Sequence, residues 1–126
     1  MHMKSARGNS MNVLKLLEEG RAIIADPARW TQEAFARDAK GEGCWSTDKE
    51  AVRWCSVGVL NKVVFDAQEP YPLDGNLRCE AEQMLSRASR VDGCNQSIAW
   101  FNDSRTHAEV LAVWDAAIAE ARAHET

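Results

Sequence analysis

The chain has 126 residues, of which 45% are hydrophobic and 27% charged; these are the proportions of an ordinary globular domain, enough for one core and too few for two. A formal net charge of -4, with lysines and arginines scattered singly, argues against a surface that tracks nucleic-acid phosphates. No apolar run reaches the roughly 18–20 residues of a membrane span, and Cys44, Cys55, Cys79 and Cys94 form no C-x-x-C pair of the kind a structural zinc ion uses, so no membrane, metal or cofactor is expected.

The first ten residues, MHMKSARGNS, hold two basic residues, no carboxylate and almost no bulky apolar side chain. They read as a leader or cloning remnant, with the globular domain covering 11–126 and a cytoplasmic address in which the thiols stay free and mostly buried. Helix one follows over 12–25, where Val13, Leu14, Leu16, Leu17, Ile23 and Ile24 recur at helical spacing, interrupted only by Gly20. Asp26-Pro27 then turns the chain, and Trp30 is expected to close over this helix. Between Thr31 and Ser46 a short β-hairpin, roughly 32–37 with 42–46, competes with a helix continuing to Ala39.

Thr47 with Glu50 has the form of a capping box, which predicts a second helix starting there and running through AVRWCSVGVLNKVVF. That helix is apolar almost all round and so belongs at the centre of the domain. Ala51, Cys55 and Gly58 would give it a small-residue face open to a neighbouring backbone. Residues 66–75, with two prolines and a glycine, read as a loop. A third helix carries Leu77, Ala81, Met84, Leu85 and Ala88 on one face and ends near V-D-G at 91–93, while SIAWF is too short to assign. The last helix begins at Thr106, where Glu109 completes another capping box, and runs to about Ala123. The expected fold is mainly α: one small domain of about four helices around a buried central helix, with the hairpin as its only β-structure.

Three stretches stand out together: WTQEAFARDA from Trp30, RWCSVG from Arg53 and FNDSRTHAEVL from Phe101. In combination they resemble a family of small bacterial and phage proteins classed only as a domain of unknown function. The resemblance implies one domain over most of residues 13–121 and an association with phages or mobile elements, and it implies no mechanism. Cys44, Cys79 and Cys94 lie outside its pattern.

Two classes of function can be built on these residues. His107 shares a helix face with Val110, Leu111, Trp114 and Ile118, so its imidazole points inward and needs a partner, which Asn102 or Asp103 could supply. Trp54 and Trp114, placed on helices that face each other near that polar loop, would wall a pocket for a small molecule or a protein segment. This is the favoured reading: a non-catalytic binding protein with Trp54, Asn102, Asp103, His107 and Trp114 at its site. The alternative is a hydrolase or acyl-transfer enzyme with Cys55 as nucleophile, His107 as base and Asp103 or Asn102 as orienter. A cysteine two turns inside an apolar helix argues against it, because burial raises the thiol's pKa where a helix N-terminus would lower it.

Overall fold

The structure, a computed structural model, describes residues 11–67, 76–90, 94 and 96–125. The expected leader at 1–10, most of the expected loop at 66–75 and the V-D-G turn at 91–93 lie outside the described residues. Helix α1 spans Val13–Ile24, and its Asn12 cap accepts a hydrogen bond from the Lys15 amide at 2.8 Å. Leu16, Leu17 and Ile24 on its inner face are fully buried. Gly20 is where α1 meets the Trp114 ring: a Cβ there would lie 2.9 Å from the indole edge, so the glycine sets how closely the two elements pack.

After a 3-10 turn at Pro27–Arg29, capped by the Asp26 carboxylate, the chain forms a three-stranded antiparallel sheet of very short strands. Strand β1 (Ala36–Arg37) lies between β2 (Gly43–Cys44) and β3 (Arg53–Trp54), with Ala36 opposite both Cys44 and Trp54. The hairpin therefore forms, tighter than 32–37 with 42–46, because Asp38 accepts from the Lys40 and Glu42 amides and Gly41 takes φ +85°.

The third strand corrects the expected start of the central helix. Thr47 does not cap it: Asp48 takes the Glu50 amide at 2.9 Å and folds 48–51 into a turn. Val52 then donates to the Arg37 carbonyl, and Arg53 and Trp54 pair with β1. Helix α2 begins only at Ser56 and continues to Ala67, two residues into the expected loop. Cys55 is thus the residue at its N-terminus rather than one two turns inside: its carbonyl accepts from the Val59 amide and its Sγ from the Gly58 amide at 3.3 Å. Of the small-residue trio, only Gly58 lies on the helix, and it does receive a backbone. A Cβ there would sit 1.9 Å from the Phe35 carbonyl oxygen.

Helix α2 is the buried centre, packed by α1, by α3 (Asn76–Ala88) and by α4 (Ile98–Ser104). The SIAWF stretch forms α4, started by the Ser97 hydroxyl accepting from the Trp100 amide. Helix α5 (His107–Glu125) closes the domain over α1 and α3. Its capping box is formed as expected: the Glu109 amide donates to Thr106 Oγ1 at 3.2 Å, and the Thr106 amide donates to Glu109 Oε1 at 3.0 Å. Among the described residues, five α-helices and the small sheet make one mainly α domain, and no helix is long and apolar enough to cross a membrane.

Candidate functional site

Asn102 is fully buried on α4, where a polar side chain is costly unless every donor and acceptor is used. Its Oδ1 accepts from Trp30 Nε1 at 2.8 Å, from the Ser56 amide at 3.1 Å and from Ser56 Oγ at 2.8 Å. Its Nδ2 donates to the Thr31 carbonyl and to Asp103 Oδ1. Trp114 Nε1 donates in turn to Ser56 Oγ at 3.0 Å, and Gln32 Nε2 donates to the Asn102 and Arg105 carbonyls. One amide thereby joins the loop after α1, the start of α2, the short α4 and the middle of α5. The three sequence stretches that stand out converge on this network. Arg37 completes it by donating to Thr31 Oγ1 and to the Gln32 and Gly41 carbonyls.

His107 has a different partner from the one expected. Its Nε2 donates to the Ile24 carbonyl at 2.7 Å, satisfying an acceptor left open at the end of α1, while its ring lies tilted 5.1 Å from that of Trp30. Among the described residues no hydrogen bond joins it to Asn102, Asp103 or Cys55. Trp54 lies on β3 rather than on a helix facing Trp114; its Nε1 donates to the Ser46 carbonyl, and Arg29 and Lys62 lie over its ring. Trp114 is wholly buried. Trp114, Asn102 and His107 therefore fasten elements together, and none of them offers an open wall.

Cys55 and Asp103 do share a cleft, of about 380 Å³, with Glu33, Phe35 and Ala99. Asp103 Oδ1 accepts from the Glu33 amide at 2.8 Å and holds Glu33 at φ 66°, the left-handed region a glutamate rarely enters. Burial pushes the Cys55 thiol up; the Gly58 and Val57 amides at the helix start pull the other way, and the Asp103 carboxylate adds to the rise. The thiol that a helix N-terminus would activate is thus held protonated by its surroundings, with the imidazole committed to Ile24. Of the four cysteines, all free, only Cys55 is buried; Cys44 is half-buried, and Cys79 and Cys94 are exposed, so the expectation of mostly buried thiols is corrected.

The open part of the surface lies elsewhere. Phe35, Trp45 and Phe65 are 49%, 74% and 57% exposed and line one groove of about 440 Å³ with Asn61, Val64 and Arg78. The hairpin positions Phe35 just before β1 and Trp45 just after β2, while Phe65 projects from the last turn of α2. Each such side chain buries about 150–250 Å² when enclosed, so at about 25 cal/mol per Å² each leaves on the order of 2 kcal/mol of burial unrealised. A second cleft, also of about 440 Å³, shares Ser46, Thr47 and Phe65 with the first and is lined further by Arg29, Lys49 and Lys62. Sequence reasoning missed this groove because a tryptophan's exposure leaves little trace in composition. The one local signal is the exposed Phe35 next to the buried Ala36 at the entry to β1.

A model of a family of unknown function (DUF6197) matches residues 9–120 of the chain. No curated protein and no solved structure matches it.

Proposed function

Since the chain belongs to this family of unknown function, no activity passes to it from relatives, and we propose from its own surface that it is a non-catalytic binding protein whose site is the aromatic groove of Phe35, Trp45 and Phe65. The observation that carries the reading is three large aromatic side chains, each 49% exposed or more, around one concavity of ligand size. This proposed site differs from the expected Trp54, Asn102, Asp103, His107 and Trp114, none of which lines the groove. A cytoplasmic address belongs to the same proposal, supported by four free thiols, as does an accessory role in a phage or mobile element, supported by the resemblance of the three stretches.

The test uses the neutral fluorophore N-phenyl-1-naphthylamine. It should bind the chain saturably at one site, and Trp45→Ala and Phe65→Ala should each weaken that binding at an unchanged melting temperature. Binding that never saturates, or that ignores both substitutions, overturns the reading.

A further inference from the structure

The second cleft says what the groove's ligand carries at its other end. Arg29 and Lys62 lie over the same indole, their charged centres 5.4 and 5.2 Å from the Trp54 ring centroid, and Lys49 lines the same cleft. Two carboxylates line it as well. Asp66 is paired with Lys62 at 2.6 Å, and Asp48 is occupied in its turn with the Glu50 amide. Arg29 and Lys49 have no carboxylate partner among the described residues. Arg29, Lys49 and Lys62 against Asp48 and Asp66 leave the cleft with one net positive charge in a chain whose net charge is -4. An arginine held over an indole is attracted through its cationic face and has in-plane N–H donors left to give to a carboxylate or a similar oxyanion. The cationic cleft and the aromatic groove meet along Ser46, Thr47 and Phe65, so one molecule can lie across both.

We propose that the ligand is a small amphiphilic anion, with a flat apolar body between Trp45, Phe35 and Phe65 and an oxyanionic end at Arg29 and Lys49, the two cations of the cleft that no carboxylate pairs among the described residues. This rests on the groove being the binding site. Concavities of this volume are of small-molecule size, and the charge at one end supplies the orientation that the aromatic walls lack.

The experiment compares two probes that share their rings, neutral N-phenyl-1-naphthylamine and anionic 8-anilinonaphthalene-1-sulfonate, on the full chain. The anion should bind about tenfold more tightly at low salt, and added salt should erode that preference. In the Arg29→Gln/Lys49→Gln double variant the preference should fall to near unity while the neutral probe binds as before, which also reports that the groove is intact. Equal affinity of the two probes in the parent chain, or a preference that survives the double variant, overturns the anionic assignment and leaves the groove standing. If neither probe responds to Trp45→Ala, the groove reading itself fails. If the parent sediments as a dimer that Trp45→Ala dissociates, a second copy covers the groove and both readings fall.

Discussion

Replacing Asn102 by alanine removes one acceptor that serves three donors at once. The Trp30 indole N–H, the Ser56 amide and the Ser56 hydroxyl all lose their partner, and the Thr31 carbonyl loses a donor. Each orphaned buried group costs about 1–3 kcal/mol, but the hydroxyl can rotate and a water can enter the polar void left behind, recovering part of it. The expected net loss is about 3–5 kcal/mol, against the roughly 5–15 kcal/mol total stability of a domain. Asn102→Asp is the sharper variant. It keeps the shared acceptor but turns the other end into an oxygen facing the Thr31 carbonyl and Asp103 Oδ1, so burial and like charge push the new carboxyl's pKa above its unfolded value. A group raised in the folded state contributes its stability fully below the unfolded pKa and loses it as pH rises through the folded one. The Asp variant's deficit relative to the parent should therefore be largest near neutrality and narrow in acid. Urea denaturation followed by tryptophan fluorescence at several pH values measures both. A deficit for Asn102→Ala under about 1 kcal/mol, or a pH-independent deficit for Asn102→Asp, would refute the assignment of Asn102 as the central fastener.

Gly58→Ala should destabilise the domain by about 3 kcal/mol or more, because its Cβ meets the Phe35 backbone and no rotamer change relieves the clash. Gly43→Ala, whose nearest neighbour is 3.8 Å away, should stay within about 0.5 kcal/mol; equal melting temperatures for the two variants would contradict this. Thr106→Ala should cost about 1 kcal/mol by removing the cap of α5, and an unchanged urea midpoint would remove the capping box from the account. The Thr106 amide, then its hydroxyl, hold the Glu109 carboxyl below the usual glutamate range. That contribution is complete above the unfolded value and lost as pH falls through the lowered folded one, so the difference between Glu109→Gln and the parent should be full above the glutamate range and shrink away as pH falls below it. With a maleimide, Cys79 and Cys94 should react first, Cys44 later and Cys55 only on unfolding. Fast labelling of Cys55 near neutral pH would instead favour the cysteine nucleophile.

What could be read from the chain was local. The apolar spacing of Leu16, Leu17 and Ile24, that of Ala81, Met84 and Leu85, and the Thr106–Glu109 box depend on neighbours within a turn or two, and α1, α3 and α5 stand where these place them. The start of α2 could not be read in this way. Val52, Arg53 and Trp54 suit helix or strand equally, and the β1 edge, more than ten residues away in sequence, decides between them. The same holds for His107: its inward face was legible, but its partner at Ile24 lies 83 residues back along the chain. Four of the five tryptophans divide along this line too, with Trp30 partly buried between the two groups. Filling the core describes Trp54 and Trp114, while Trp45 and Trp100 remain 74% and 51% exposed because of where a hairpin and a seven-residue helix end up.

The tryptophan indole resonances test the central claim most directly. Trp30, Trp54 and Trp114 donate to Asn102, Ser46 and Ser56, whereas Trp45 stands on the rim of the groove. In a two-dimensional ¹⁵N–¹H spectrum recorded during titration with 8-anilinonaphthalene-1-sulfonate, the Trp45 indole signal should move saturably while those of Trp30 and Trp114 stay in place. A saturable shift of the Trp30 and Trp114 signals with Trp45 unmoved would put the site back at His107 and Asn102 and contradict the account.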